Sequence, residues 1–341
     1  MRTVVVYSTK GGVGKTTAAV NLAWEAALTH RVLLWDLDPQ GAATFLLRVK
    51  PKLKGGVDAL VSGKTEVGEV VRQSDYPRLD VLPADDSYRD LDLVFDAAKN
   101  STQRIAKVLN TVAKDYDVVI LDCPPGSSLI AENALHAADS IVVPLVPSPL
   151  SLRSLEQVNR IVAEAAKSTP IIAFFSMVDR RKTAHRLAVE SLPGEQSTVT
   201  AIVVPSTIYL ERMGTERAPV ATFAPRTEAA QAFVELWATV KSAAKLKDAP
   251  KLNDAAKLKN ARDSRVTVAE KSAPDNAAAG KDAVVAKSEP KDAAESDAAT
   301  RKVAAMTKVA AKTKVEPAAK TADTAKNAEP TTKKLRQRGG K

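Results

Sequence analysis

The run Ser8-Thr9-Lys10-Gly11-Gly12-Val13-Gly14-Lys15-Thr16-Thr17 concentrates glycine, lysine and hydroxyl residues in ten positions. Glycines let a backbone take positive φ and bring its N–H groups close to phosphate oxygens, and the positive end of a following helix adds about half a unit charge. Lys15 then reaches the terminal phosphates, and Thr16 offers a hydroxyl to Mg²⁺, as the general pattern G-x-x-x-x-G-K-[ST] requires. Thr9 stands where that pattern has its first glycine, and Lys10 adds a second lysine. Two carboxylates follow in Asp36-Leu37-Asp38-Pro39-Gln40-Gly41. Beside a triphosphate, one can orient or deprotonate an attacking water while the other holds Mg²⁺ through its water shell. The same pair would also serve as polar caps on a following helix. A third carboxylate, Asp122, ends the apolar run Val118-Val119-Ile120-Leu121 and would reach the Mg²⁺ region from a buried strand.

These residues need elements to hold them. Thr3 to Tyr7 reads as a strand ahead of the glycine loop, and Ala19, Leu22, Ala23, Ala26 and Ala27 give residues 16–29 a helical stripe. Arg31 to Trp35 is a near-continuous apolar run of the kind found in buried parallel strands, so Asp36 and Asp38 fall at a strand's C-terminal end, where ligands of open α/β sheets bind. Residues 48–100 carry no assignable chemistry. Within them Val57–Val61 suggests a short helix, Leu79–Pro83 a strand, and Asp85-Asp86-Ser87 a helix cap. Further strands are expected at 116–122, 139–147, 170–179 and 200–205, with helices through Ile105–Val112, from Ser151, and over Thr227–Lys245. The last should bury Ala230, Phe233, Val234, Trp237 and Val240. The expected fold is α/β, a mainly parallel twisted sheet flanked by helices on both faces.

Composition divides the chain near residue 245. Residues 251–341 hold 21 Lys and Arg against 12 Asp and Glu, so nearly all of the net charge of +10 lies there. That stretch has no Phe, Trp or Tyr, and too little apolar surface to offset the entropy of ordering. It reads as a disordered Ala/Lys-rich tail (246–341) behind one folded domain (1–245). The single cysteine, Cys123, permits no intramolecular disulfide and fits a small buried residue. No run reaches the length of a membrane-spanning helix, and the chain passes straight into its first strand, so a cytoplasmic protein is expected.

The loop resembles the deviant Walker A box K-G-G-x-G-K-[ST] of the P-loop NTPases that include partition ATPases, septum-site ATPases and nitrogenase iron proteins. Asp-x-Asp-Pro-Gln-Gly and Asp122-Cys123-Pro124-Pro125 are similar to the next two motifs of the partition type, and about two thirds of the chain is covered. The resemblance implies ATP and Mg²⁺ as ligands and two subunits closing face to face on them. Lys10 would cross to the partner's nucleotide, and Gly11, Gly12, Val13, Gly14, Lys15, Thr16 and Thr17 would wrap the phosphates. Asp38 would orient the water and, with Lys10 and Lys15, make up the catalytic group. Thr16, Asp36 and Asp122 would serve the metal, and Pro205 would lie near the base.

The same likeness implies an ATP-dependent homodimer that binds DNA without sequence preference at the nucleoid, a ParB-like or other stimulating partner, and a positioned cargo. Arg180, Arg181, Lys182 and Arg186 are either the solvated start of a helix or part of a DNA-gripping face. In the tail Lys333, Lys334, Arg336 and Arg338 form the densest basic patch; the tail either binds phosphates or only solubilises. Septum-site ATPases offer a second reading, positioning at a membrane surface. They end in an amphipathic helix whose bulky apolar stripe is missing here, so no stable membrane association is expected. An electron carrier would need cluster-ligating cysteines, which one cysteine does not supply.

Overall fold

In the computed structural model the described residues are 1–96, 101–164 and 168–247. The chain divides into two units, Met1–Leu258 and Lys259–Lys341, and the fold below belongs to the first. Apart from Leu246 and Lys247, the expected tail with Lys333, Lys334, Arg336 and Arg338 lies outside the described residues.

The chain opens with β1 (Arg2–Val6), α1 (Lys15–Ala27), β2 (Val32–Asp36), α2 (Ala42–Leu46) and α3 (Gly56–Val61). Then come β3 (Arg72–Gln73), β4 (Leu79–Leu82), α4 (Leu91–Asp96), α5 (Arg104–Thr111), β5 (Val118–Asp122), α6 (Leu129–Ala137) and β6 (Ser140–Leu145). The unit finishes with α7 (Pro149–Glu164), β7 (Ile171–Val178), α8 (Thr183–Glu195), β8 (Val199–Pro205) and α9 (Glu228–Ala243). Strand order is β3-β4-β2-β5-β1-β6-β7-β8, and among the described residues only β3 runs antiparallel to its neighbour.

Because helices cover both faces, the inner strands are buried on both sides and read as unbroken apolar runs. Alternate residues serve two cores. Val4, Val6, Leu34 and Ile120 pack with α1, α2 and α9, whereas Val5, Tyr7, Leu33, Trp35, Val119 and Leu121 pack with α3 to α7. Register brings Val6, Asp36 and Asp122 to one level at the C-terminal edge, because Val6 and Asp36 each pair with Asp122. The sheet itself therefore assembles carboxylates that stand far apart in the sequence.

One expectation fails in α9. Ala230, Phe233, Trp237 and Val240 are buried, but Val234 is 46% exposed. It sits at the margin of the stripe, a quarter turn beyond Phe233, and faces solvent. The cap at 85–87 takes a shorter form: Asp85 accepts from the Ser87 N–H (3.0 Å) and starts a 3-10 turn over Asp86–Asp90 that runs into α4.

The fold also buries acids. Glu25 on α1 is pushed up to about 7 by burial, and Asp36 up to about 6 by burial, with the Asp38 charge adding to it. A carboxyl that holds its proton more tightly when folded stabilises the fold while protonated. That stability is present below the unfolded value near about 4 and is lost as pH rises through the folded values. The nucleotide-free protein should therefore lose thermal stability between about pH 4 and pH 7. Glu25→Gln should flatten that slope and raise Tm at pH 8, which calorimetry at several pH values would read. A slope unchanged by the substitution would assign it to other groups.

Candidate nucleotide site

The loop between β1 and α1 is shaped by its glycines. Gly12 has φ 67°, and Gly14, which N-caps α1, has φ 94°, both left-handed conformations that side chains resist. Among the described residues, none of the backbone N–H groups of residues 11–17 donates to a protein acceptor. They form a concave set of free donors at a helix N-terminus, the arrangement that holds phosphate. Lys15 is 7% exposed and its Nζ donates to the Lys10 carbonyl across the loop (3.1 Å). Burial lowers its pKa, against the opposing pull of Asp122 and Asp38.

Asp122 is fully buried, and among the described residues neither of its oxygens accepts a well-formed hydrogen bond. Burial, then the neighbouring Asp36 charge, raises its pKa well above the carboxylate range, while the nearby Thr16 hydroxyl and Lys15 work the other way. A buried carboxylate without partners is costly unless a cation or donor joins it. Mg²⁺ keeps most of its waters and takes substrate oxygens, so one carboxylate and one hydroxyl suffice from the protein. Asp122 and Thr16 fit that demand. Among the described residues no cluster of three or more His, Cys, Asp or Glu could form an all-protein site.

Asp36 is differently placed. Its Oδ2 accepts from the Thr44 N–H (2.8 Å) and hydroxyl (2.7 Å), and its Oδ1 accepts from the Asp38 N–H (3.3 Å). The Ala84 N–H in turn donates to Thr44 Oγ1 (3.0 Å). Asp36 thus fastens α2 and the end of β4 to the sheet edge, and only the weakly bonded Oδ1 is left for a metal's water shell. Asp38 lies at the rim, half-buried, with Oδ1 accepting from the Gln40 N–H (2.9 Å).

A cavity of about 440 Å³ runs from the loop to the far end of the sheet edge. Gly11, Gly12, Gly14, Lys15, Thr16, Thr17 and Asp38 line one end; Met177, Pro205, Thr207, Leu210 and Phe233 line the other. The structure brings Pro205 into the cavity and leaves Lys10 outside its lining. Lys10 is half-buried and its ammonium has no partner among the described residues. Val13 is buried, its side chain packed inward.

The basic cluster is partly spent within the fold. Arg181 forms a bidentate pair with Asp179 (2.9 and 3.0 Å), whose carboxyl is held at about 2 by that guanidinium, and Arg180 pairs with Glu228. Lys182 occupies the N-cap position of α8 with no side-chain cap hydrogen bond, and Arg186 donates to the Arg180 carbonyl (3.4 Å). His185 accepts at Nδ1 from the Asp179 N–H (3.1 Å), which ties the loop to α8. Cys123 is buried, and burial raises its thiol pKa beyond the range of a reactive thiolate.

Sequence reasoning passed over Asn21, Thr44 and Ser176. Buried Asn21 donates to the Thr17 carbonyl (2.7 Å) and accepts from the Val220 N–H (2.8 Å), pinning the segment beyond β8 onto α1. Ser176 is the sole polar residue in the run Ile171–Val178, and that break was the available signal.

Comparison with known proteins agrees with this geometry. The AAA_31 family model, described as an AAA domain, matches residues 1–172. The sporulation initiation inhibitor protein Soj of Bacillus subtilis is 30% identical over 241 residues, covering 68% of this chain and 95% of the relative. The chromosome partitioning protein ParA of Myxococcus xanthus is 28% identical over 243 residues, covering 69% and 86%. Among solved structures, cobyrinic acid a,c-diamide synthase from Mycobacterium smegmatis with bound ADP and magnesium superposes with TM-score 0.60 at 26% identity, covering 73% of this chain and 98% of that one.

Proposed function

Because the chain belongs to the ParA/Soj/MinD-type ATPase family, we propose that it is an ATP-driven dimerisation switch that positions or segregates DNA or another intracellular cargo. The observation that carries the reading is Asp122, fully buried beside Lys15 and Thr16 with neither oxygen in a well-formed hydrogen bond among the described residues. Such a group is tolerated where its burial serves a cation that arrives with a ligand.

In this reading the free N–H groups of residues 11–17 and the Lys15 ammonium bind the phosphates of ATP. Thr16 and Asp122 would hold Mg²⁺, with the free edge of Asp36 near its water shell; when bound, the ion neutralises charge that develops on the phosphates. Asp38, fixed by the Gln40 N–H, orients the attacking water at the rim. Pro205, Leu210 and Phe233 supply an apolar wall for the base. Lys10, outside the cavity lining and without a partner among the described residues, is free to reach the nucleotide of a second copy. Hydrolysis then removes what holds the two copies together, so the product that matters is a change of assembly.

Non-specific DNA is the proposed surface on which the switch acts, with a ParB-like or other stimulating protein resetting it. Lys182, Arg186 and the lysines of residues 251–341 are the cations proposed to meet phosphates, because Arg180 and Arg181 already have acidic partners. Among the described residues no helix is long and apolar enough to cross a membrane. DNA affinity of the full chain should fall with salt in the presence of ATP. Deleting residues 251–341 should flatten that dependence by about 0.9 in log–log slope for each phosphate that the tail neutralises. Fluorescence anisotropy against a salt series measures this. An unchanged slope would remove the tail from the DNA-binding surface.

A further inference from the structure

Consecutive residues of a strand point to opposite faces, yet Ser176 and Met177 of β7 both line the cavity. The backbone explains how. Phe175 pairs with Val203 and Val178 with Pro205, so β7 spends three steps where β8 spends two. The additional residue is a bulge, and Met177 within it takes φ 56°, a left-handed conformation unusual for a long side chain. Such backbone strain persists where surrounding structure enforces it, and it accumulates at functional sites.

The bulge lets Met177, 44% exposed, turn toward the cavity while Ser176 stays 4% exposed and reaches the glycine loop. Ser176 Oγ donates to the Val13 carbonyl at 2.8 Å. A Cβ built on Gly14 would stand 2.9 Å from the same Oγ, so the hydroxyl lies directly against the loop. In a trans peptide the carbonyl and the following N–H point in opposite directions. Holding the Val13 carbonyl against β7 therefore turns the Gly14 N–H to the other side, toward the concave face of the loop. Among the described residues that N–H has no protein acceptor.

We infer that Ser176 is a positioning residue for the phosphate cradle: its hydroxyl fixes the Val13–Gly14 peptide so that the Gly14 N–H is preset to donate to a bound phosphate. Without it, the peptide that joins Val13 to the positive-φ Gly14 loses its anchor on β7, and binding must include the cost of ordering it. The inference rests on the nucleotide site proposed above and adds to it a residue two strands away from β1, across β6.

The test compares ADP·Mg²⁺ binding by isothermal titration calorimetry in the full-length wild type, Ser176→Ala and Ser176→Thr. One oriented donor to a charged acceptor is worth about a tenfold change in affinity or somewhat more, so Ser176→Ala should bind about tenfold more weakly, and Ser176→Thr, which keeps the hydroxyl, within about threefold of wild type. The melting temperature without nucleotide should be the same in all three to within a few degrees, which separates a preset peptide from a general loss of packing. In the wild-type chain, the Gly14 amide proton resonance should move downfield as ADP·Mg²⁺ is added, a readout that needs no variant. Wild-type affinity in Ser176→Ala, weakening in Ser176→Thr equal to that in Ser176→Ala, or a Gly14 resonance that does not move would each overturn the inference. A wild-type chain that binds no ADP would instead overturn the site reading beneath it.

Discussion

Lys15→Ala will bind neither ATP nor ADP at concentrations that saturate the wild type. Lys15 is buried at the base of the loop, and burial already disfavours its charge. A cation kept there against its desolvation cost repays it when an anion arrives, because charge-assisted bonds in a low-dielectric site are the strong ones. Replacing it leaves phosphate charge facing Asp122 and Asp38 with no counter-ion from the chain. The expected loss is at least about 100-fold in Kd, from one to two charged hydrogen bonds at their usual strength. The fold itself should survive, since among the described residues the only hydrogen bond of the Lys15 side chain runs to the Lys10 carbonyl. Calorimetry or a fluorescent nucleotide titration, beside an unchanged circular dichroism spectrum, checks both halves. Retained affinity would mean that the loop's N–H groups alone hold the phosphates.

Asp38→Ala should separate binding from turnover. Asp38 touches the cavity rim, and among the described residues its side chain accepts a single bond, from the Gln40 N–H (2.9 Å), so its removal should disturb little. A residue that orients or deprotonates water contributes about 10²- to 10⁴-fold to rate. ATP hydrolysis should fall by about 10²-fold or more while ATP affinity stays within a few-fold of wild type. With ATP present the variant should accumulate as a dimer, because the step that opens the assembly is blocked. Steady-state phosphate release and size-exclusion chromatography together decide it. Wild-type turnover in Asp38→Ala would give the water to another group. Asp36 offers less for that role, because Thr44 donates two hydrogen bonds to its Oδ2.

The sheet and the loop were legible because their signals are local. Buried parallel strands read as unbroken apolar runs, so Val32–Asp36 and Val118–Asp122 fall within a residue or two of their expected places. Glycine and lysine at fixed spacing announce the loop, because the geometry permits few other residues. What stayed hidden depends on partners far away in the chain. Thr44 is 40 residues from Ala84, Ser176 is 163 from Val13, and Asn21 is 199 from Val220. Each is one polar residue in an apolar setting, and no periodicity reveals which acceptor it meets. The run Arg180–Arg186 hides its pairing for a related reason: Glu228, which closes against Arg180, lies 48 residues on. In α9 the stripe that correctly buries Phe233 and Trp237 extends one position too far at Val234, since the edge of a helical face is set by its neighbours and not by spacing.

The central claim is that a nucleoside triphosphate, and not the diphosphate, joins two copies of this chain. Light scattering on the full-length wild type with Mg²⁺ and either ADP or a non-hydrolysable ATP analogue tests it most directly. The account predicts the mass of one 36.3 kDa chain with ADP and twice that mass with the analogue. One mass under both conditions, whether monomer or dimer, would contradict it.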